Sequence, residues 1–350
     1  MSRAAAATIL FVALAVAGCG GDTEERSGQG IGQGAKGDGG GGLTIGLPTA
    51  QTSFANLDVV VAQEQGFFKE QGIDVEVQNF GSGLKSVQAV VAGGVEIGGA
   101  SIEPVAAAVA QDQELKVIGA YADRLTVNVT VPKSIAGVED LRGKPVGIQD
   151  VGAFREIMVR YLLDRNGMKP DDVDYRPVAA SGYTGALLAG QIEAAVLQQE
   201  QYFGILAEDP SYHAIADLYK LQPGYFYGTY FAKSDWLENH PDEAKAFVTA
   251  ITQAHRFMYE NKAETVAIAA DTVGFDRKAV GEAYDVLLGK NQVFPVDGGL
   301  DRKRIDYTLG QLGELGAVSG EAPDYSELVD DSAASAAEAE LGEAERGEGS

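Results

Sequence analysis

The residues of this sequence best suited to chemistry are hydroxyls, amides, glycines and aromatics that follow short apolar runs. Serine and glycine at the start of a helix leave backbone N–H groups free to hold an anionic oxygen, and the helix dipole adds to that attraction. Aromatic rings beside them could sandwich an organic body. Each serine taken singly could instead cap a helix, and each aromatic could be part of the core. The candidate ligand-binding residues are Gln51, Thr52, Ser53, Phe54, Ser82, Gly83, Ser101, Asp150, Gly152, Phe154, Ser181, Tyr183, Gln198 and Tyr227.

Residue patterns typical of enzymes are missing from the sequence. The histidines His213, His240 and His255 lie far apart, and none falls in the candidate loops. The sequence contains no nucleophile elbow, zinc-protease motif, Cys-x-x-Cys pair or phosphate-binding loop. No spacing singles out an acid and base pair among the carboxylates Asp58, Asp123, Asp150 and Glu200. We therefore expect a binding protein with no catalytic residue, no cofactor and no metal site.

The loops that carry the candidate residues separate alternating strand and helix patterns. Residues 43–47 form a short apolar run, a helical apolar period follows, and residues 73–77 alternate as a strand does. A second helical pattern ends at Gly93, and residues 95–100 return as a buried strand. The order β-α-β-α-β predicts a mostly parallel sheet covered by helices.

The same order recurs from residue 145, which predicts two similar α/β units. The stretch AVVAGGVEIGGAS, residues 89–101, has a counterpart in ALLAGQIEAAVLQ, residues 186–198, and Gly46 aligns with Gly147. Chance similarity between two such units is the alternative interpretation. The helical patterns after residue 236 add no third parallel unit, so we expect them to pack on the existing units.

The position of the candidate loops follows from a general rule for open parallel sheets. Ligands bind at the carboxyl ends of the strands, where loops and helix N-termini converge. The candidate loops all follow predicted strands, so we expect Ser101 of one unit and Gln198 of the other to face each other across a cleft.

The N-terminus has the pattern of a secretory signal. Arg3 precedes an apolar stretch over 4–16, and Cys19, the only cysteine, follows two small residues. The apolar stretch is too short to span a bilayer as a mature helix. VAGC resembles the bacterial lipobox, in which the cysteine is lipidated, and a buried structural cysteine is the alternative. With no second cysteine in the sequence, disulfides are excluded.

Length and charge limit the classes of function. The chain has 350 residues and is 45% apolar, enough for two domains with their own cores. The formal net charge of −24 would repel nucleic-acid phosphates and anionic lipid headgroups over most of the surface. We expect no nucleic-acid partner.

From Thr44 to about Val318 the sequence resembles the solute-binding proteins of bacterial ABC importers, in the group that takes up nitrate, sulfonates, taurine and the pyrimidine precursor of thiamine. The stretches that carry the resemblance are GFFKEQGIDVEVQNFGSG (66–83), AVVAGGVEIGGAS with SIEP beyond it, LRGKPVGIQDVGAF (141–154), ALLAGQIEAAVLQQEQYF (186–203) and WLENHPDEAKAFVTAI (236–251). They cover most of the chain beyond the glycine-rich segment. The resemblance is specific for the family and not for the ligand.

The resemblance implies a type II periplasmic-binding-protein fold, in which two α/β lobes close on a ligand by a hinge and then dock on a membrane permease. It implies crossings between the lobes near 127–133 and 223–233, and ligand contacts from the loop that contains Ser53, the Ser82 and Gly83 loop, Ser101 and the segment from Asp150 to Phe154.

Asp150 stands where family members often have a small residue, and its charge would repel a plain inorganic anion. We therefore expect a small organic solute, paired through Arg124 or Arg155 if it carries a carboxylate or sulfonate. The alternative is an enzyme or ligand sensor on the same fold, although the pyrimidine-forming enzymes of this fold use a cysteine-rich motif that is absent here.

The predicted organisation combines these inferences. We expect a monomer outside the cytoplasm, held at the cell membrane by a lipid on Cys19. The fold class is α/β with two lobes, each a mostly parallel sheet flanked by helices, and the ligand cleft between them. The predicted domains are a signal peptide (1–18), a flexible glycine-rich tether (19–42), a discontinuous first lobe (43–128 and 230–325), a second lobe (129–229) and an acidic tail (326–350), which is disordered or weakly helical.

Overall fold

The structure is a computed structural model that describes residues 42–49 and 53–347. Its strands are β1 (Gly42–Leu47), β2 (Asp74–Asn79), β3 (Ile97–Ser101), β4 (Leu115–Ala122), β5 (Val127–Val131), β6 (Pro145–Ile148), β7 (Asp174–Pro177), β8 (Ala194–Gln198), β9 (His213–Asp217) and β10 (Gly228–Lys233). Its α-helices are α1 (Leu57–Gln65), α2 (Phe67–Glu70), α3 (Gly83–Val91), α4 (Ile102–Val109), α5 (Phe154–Arg165), α6 (Tyr183–Leu188), α7 (Gln199–Glu208), α8 (Leu218–Leu221), α9 (Ser234–Asn239), α10 (Pro241–Glu260), α11 (Lys262–Val273), α12 (Arg277–Tyr284), α13 (Arg302–Glu314), α14 (Tyr325–Leu328) and α15 (Ser332–Leu341).

The strands form two five-stranded sheets of the same design. The first sheet has the order β2-β1-β3-β10-β4 and the second has the order β7-β6-β8-β5-β9. In the first, β1 is parallel to β2 and β3, while β10 is antiparallel to both β3 and β4. The second repeats this pattern with β5 as the antiparallel strand. We call the parts built on these sheets the first and second lobes. The predicted α/β class with two mostly parallel sheets is confirmed.

Two glycines that align in the sequence occupy equivalent places in the two sheets. Gly46 pairs with Gly98 of β3, and Gly147 pairs with Ala195 of β8. A Cβ at Gly46 would lie 2.7 Å from the Phe80 ring, and a Cβ at Gly147 would lie 2.6 Å from a methyl of Ile192. Both positions therefore require glycine, because the Phe80 ring packs directly on β1 and the Ile192 side chain packs directly on β6.

The chain changes lobes at other residues than the sequence predicts. Residues 127–133, expected as a crossing, contain β5, and the residues between the sheets are 123–126. In the predicted second crossing, residues 228–233 are the buried strand β10, and the connection runs over 218–227. Neither strand could be predicted from the sequence, because each pairs only with strands that are distant along the chain. In addition, β10 is buried along five of its six residues, so it lacks the alternating pattern of a half-exposed strand.

The predicted acidic tail contains a helix, which is the second of the two states expected for it, and not disorder over residues 332–341. Residues 332–341 form α15, which packs against α10 and buries Ala333, Ala334 and Ala337. Just before it, Val329 forms a parallel bridge with Val117 of β4. The acidic composition suggested disorder, but a stripe of small residues lets the helix approach α10 closely although it has few large apolar side chains.

The predictions for the N-terminus concern residues that the structure does not describe. The signal peptide, Cys19 and the tether up to residue 41 lie outside the described residues, while Gly42 begins β1. Within 42–49 and 53–347, none of the helices combines the length and apolarity needed to cross a bilayer.

Candidate functional site

A cavity of about 700 Å³ lies between the two lobes. Its walls come from loops that follow β1, β2 and β7, from the helices α5, α6 and α7, and from the end of α11. It therefore occupies the position expected for a ligand of open parallel sheets, at the carboxyl ends of the strands. The lining residues are Thr49, Ser53, Asn79, Phe80, Gly81, Arg155, Ala179, Ala180, Ser181, Thr184, Gly185, Leu188, Gln201, Glu208, Val273 and Phe275.

A smaller cavity of about 30 Å³ has Thr49 and Arg155 in common with the large one. Hydroxyl, aromatic and amide side chains from the predicted set line it, among them Ser101 and Gln198, the last residues of β3 and β8. The lining residues are Pro48, Thr49, Ala55, Gly83, Ser101, Pro104, Tyr121, Gln149, Ala153, Phe154, Arg155, Gln198 and Tyr227. The two cavities together form one candidate site, with Arg155 at the boundary between them.

Arg155, the second residue of α5, is held in a fixed orientation. Its Nε donates to the Val196 carbonyl at 2.8 Å, and its Nη1 donates to Gln149 Oε1 at 2.7 Å. Its guanidinium lies 4.7 Å from the centre of the Tyr183 ring. The side chain is buried, and no hydrogen bond to the described residues is recorded for Nη2. Arg155 thus offers a preorganised positive charge to the cavities.

Glu200 lies at the start of α7, beside the wall of the large cavity. Its Oε1 accepts a hydrogen bond of 3.0 Å from the Ser53 hydroxyl, and Ser53 itself lines that cavity. Burial raises the pKa of the Glu200 carboxyl to about 7, although hydrogen bonds and the charge of Arg155 lower it in part. Its Oε2 is buried and has no hydrogen-bond partner among the described residues. A buried acceptor without a donor is costly, and the cost is smaller when the carboxyl is protonated.

Hydrogen bonds between described residues join the lobes across the cleft. Besides the Ser53 to Glu200 bond, Gln149 Nε2 donates to the Gly81 carbonyl at 2.9 Å. Both bonds lie between a loop of the first lobe and a residue that follows a strand of the second. The lobes are therefore in direct contact at the mouth of the site.

Gln198 connects the back of the site to the segments that join the lobes. Its Oε1 accepts from the Thr126 hydroxyl at 2.5 Å, and its Nε2 donates to the Tyr227 hydroxyl at 3.0 Å. The Tyr227 ring lies 4.4 Å from that of Phe154 and 5.5 Å, edge-on, from that of Tyr121, measured between ring centroids. These rings close the inner end of the site with apolar surface.

The structure brings only part of the predicted set to the cavities. Ser53 and Ser181 line the large cavity, while Gly83, Ser101, Phe154, Gln198 and Tyr227 line the small one. Gln51 and Thr52 lie outside the described residues.

Five residues of the predicted set line neither cavity. Phe54 is fully buried in the core, and Tyr183 lies beneath the Arg155 guanidinium. Ser82 caps α3 by accepting a hydrogen bond from the Lys85 amide, which was the alternative interpretation for the serines. Asp150 and Gly152, between the lining residues Gln149 and Ala153, do not line either cavity.

Arg124, the other candidate partner for an anionic ligand, lies away from the cleft. Its Nη1 donates to the Asn291 carbonyl at 2.8 Å, and its Nε is 3.6 Å from an Asp123 carboxylate oxygen. The residue lies in the short connection between β4 and β5, and it lines neither of the two cavities. Arg155 is the cation of the site.

The sequence reasoning missed two contributors to the large cavity. Asn79 is the last residue of β2, and the rule that ligands bind at strand ends could have found it. Phe275 follows α11, and its ring lies 2.4 Å from the position that a Cβ on Gly204 of α7 would take. No local pattern marks Phe275, because its place in the wall depends on how the C-terminal helices pack on the second lobe.

The carboxylates and histidines do not form an acid and base pair in the cleft. Asp58 is fully buried in the first lobe, where it accepts hydrogen bonds from the Tyr230 hydroxyl and lies 3.1 Å from His255 Nε2. Asp123 is paired with Arg346. Among the described residues, no group of three or more histidine, cysteine or acidic side chains could hold a metal ion.

Comparison with known proteins adds a family and several relatives. A family model described as NMT1/THI5 like matches residues 53–265, more than half of the chain. The taurine-binding periplasmic protein of Escherichia coli is 24% identical over 298 residues, which cover 81% of this chain and 91% of that protein. A 4-amino-5-hydroxymethyl-2-methylpyrimidine phosphate synthase of Saccharomyces cerevisiae is 24% identical over 214 residues, covering 57% and 62%.

Solved structures share the fold. The alkanesulfonate-binding protein SsuA of Xanthomonas axonopodis pv. citri, bound to MOPS, superposes with a TM-score of 0.68 over 82% of this chain and 97% of its own. The sequence identity is 17%, so this likeness concerns the architecture alone.

Proposed function

This chain belongs to the NMT1/THI5-like family, and on that premise we propose that it is a solute-binding protein that works outside the cytoplasm with an ABC importer. The observation that carries the proposal is the cavity of about 700 Å³ between the lobes, with walls from both. A volume of that size suits a small organic molecule. The names of the taurine-binding and alkanesulfonate-binding relatives agree with this class of function.

The way in which the cavity is built supports capture by hinge closure. Its walls come from two lobes joined by residues 123–126 and 218–227. A ligand that contacts both lobes lowers the free energy of the closed state relative to the open state, because those contacts exist only when the cleft is shut. The closed protein would then deliver the ligand to the membrane permease.

The charges around the site favour a small organic solute with two kinds of polar group. The Arg155 guanidinium would pair with a carboxylate or sulfonate. Ser53, whose hydroxyl is hydrogen-bonded to Glu200, lines the large cavity and would accept from an N–H group such as an amine or a pyrimidine substituent. The rings of Phe154 and Tyr227 would contact the apolar part of the molecule.

A panel of compounds tests the proposed function. We expect at least one sulfonate, carboxylate or pyrimidine to raise the melting temperature of the full chain, because a ligand at 100 times its Kd stabilises the folded state by about 2.7 kcal/mol. The panel contains taurine, alkanesulfonates, small carboxylates, aminopyrimidines and nitrate. Differential scanning calorimetry measures the melting temperature with each compound. If no compound shifts the melting temperature, the proposal is wrong. If a compound is consumed without a membrane partner, the chain is an enzyme instead.

The lipid anchor is a separate part of the proposal and rests on the VAGC stretch that ends at Cys19. When the full chain is produced in a bacterium, we expect it in the membrane fraction with incorporated palmitate, and Cys19→Ala should abolish the label. The measurement is the amount of protein and of palmitate label in the soluble and membrane fractions after lysis without detergent. A natural chain that is found wholly soluble and unlabelled contradicts the anchor but leaves the solute-binding function unaffected.

A further inference from the structure

The C-terminal segment of the described chain follows the edge of the first sheet. We call residues 325–347 the strap. Lys116, near the start of the edge strand β4, donates to the Ser326 and Glu327 carbonyls at 2.9 and 2.6 Å. The Asp330 amide then donates to the Val117 carbonyl at 3.0 Å, which continues the sheet contact. The strap therefore covers an edge that would otherwise present unpaired backbone groups.

After α15 the strap turns back toward the hinge. Arg256 of α10 fixes this turn by donating to the Leu341 carbonyl at 3.0 Å and to the Gly342 carbonyl at 2.6 Å. Gly342 has φ = 74°, a conformation that favours glycine. The turn carries Arg346 to the carboxyl end of β4, so the strap touches this strand near both of its ends.

Arg346 pairs with Asp123, the first residue after β4 and the first of the short connection to the second lobe. Nη1 and Nη2 of Arg346 bond to the two carboxylate oxygens of Asp123, and Nη1 also donates to the Gln292 carbonyl. The side chains are 15% and 4% exposed, so the pair is largely shielded from water. Arg124 does not replace it, since its Nε is 3.6 Å from the same carboxylate.

The connection that Arg346 holds leads directly into the candidate site. Three residues after Asp123, the Thr126 hydroxyl donates to Gln198, which in turn donates to Tyr227 of the second connection. Both segments that join the lobes are thus linked to Gln198, which lines the small cavity. A change in the position of Asp123 has a short, hydrogen-bonded route to the cleft.

We propose that the strap braces the hinge through Arg346 and Asp123, and that this pair sets how far the lobes can move apart. Without Arg346 the Asp123 carboxylate would remain buried with the Arg124 Nε, 3.6 Å away, as its nearest cation, and it would regain hydrogen bonds to Arg124 or water only if the connection shifted. Such a shift widens the range of lobe orientations in the unliganded protein. The consequence for affinity rests on the proposed function, but the consequence for lobe geometry does not.

The distance between the lobes in the ligand-free full chain tests the brace. Spin labels are placed at Gln88→Cys on α3 and Asp164→Cys on α5, both exposed, in a chain with Cys19→Ser, and the distance is measured by double electron–electron resonance. Arg346→Ala should broaden the distance distribution about twofold relative to the same chain with Arg346 intact. If the distribution is unchanged, the proposal is wrong.

A matched control separates bracing from general stability. Lys245→Ala removes the 2.7 Å ion pair with Glu340, which holds α15 on α10 without touching the hinge. We expect this variant to keep the distance distribution of the parent, and equal broadening in both variants would contradict a specific role for Arg346. If Arg346→Ala does not fold, Arg346→Lys replaces it in the test, since lysine keeps the charge but loses the bidentate geometry. This variant should broaden the distance distribution to an intermediate extent. No broadening would again overturn the proposal.

Discussion

As the pH rises from 4.5 to about 8, the free energy of unfolding of a Glu200→Gln variant should increase by about 3 kcal/mol relative to that of the natural chain, because the natural chain loses stability over this interval. In the natural chain, the pKa of Glu200 is raised from 4.5 to about 7 on folding, because burial disfavours the carboxylate. Over this interval the unfolded chain ionises first, so the natural protein loses stability as the pH rises through the folded pKa. Glutamine does not titrate and loses none.

Urea unfolding of both chains at a series of pH values measures this difference. The glutamine oxygen can still accept from the Ser53 hydroxyl, so the contact made by Oε1 is retained. Ser53→Ala, which removes a donor that lowers the pKa of Glu200, should extend the interval of falling stability to higher pH. A stability difference between Glu200→Gln and the natural chain that stays constant with pH would mean that Glu200 is not held protonated by burial.

Loss of the Arg155 guanidinium should have the largest effect on binding. We expect Arg155→Met to lower the affinity for a carboxylate or sulfonate ligand by roughly 10- to 100-fold, since a hydrogen bond to a charged group contributes about 1.5–3 kcal/mol. Methionine keeps an unbranched side chain over the Tyr183 ring but has no charge and no donor. Isothermal titration with a compound that binds the natural chain measures the change.

Arg160→Met is the matched control for Arg155→Met. Arg160 lies later on the same helix, pairs with Glu156 at 2.7 Å and donates to the Leu315 carbonyl at 3.3 Å, away from both cavities. We expect it to lower stability while the affinity stays unchanged. Equal losses of affinity in the two variants would show that Arg155 acts through the fold and not through the ligand.

The parallel units could be predicted from the sequence, because each forms its contacts within one stretch of alternating strands and helices. Residues 145–148 and 194–198, for example, are apolar runs bounded by glycines and charges. The antiparallel strands β5 and β10 could not, since each inserts between strands that are distant along the chain. The packing of α15 on α10 could not be predicted, because its buried face consists of alanines, which have a weak hydrophobic signal.

The candidate site was predictable where it follows from the strand ends. That rule led to Ser53, Ser101, Ser181 and Gln198, all of which line a cavity. It could not choose between Arg124 and Arg155, because the direction of each side chain depends on where the chain changes lobes.

The rule also could not find Phe275 or the pairing of Ser53 with Glu200. The first depends on the packing of the C-terminal helices, and the second depends on the approach of the two lobes. Tertiary contacts of this kind leave no periodic signal in the sequence.

The most direct test of the account is a calorimetric titration of the full chain with the panel compound that raises the melting temperature most. We expect one molecule bound per chain, and weaker binding to Ser181→Trp, in which an indole takes up part of the large cavity from an exposed wall position. Gln191→Trp, at an exposed residue that lines neither cavity, should bind as the natural chain does. Unchanged affinity in Ser181→Trp would contradict a ligand held between the lobes.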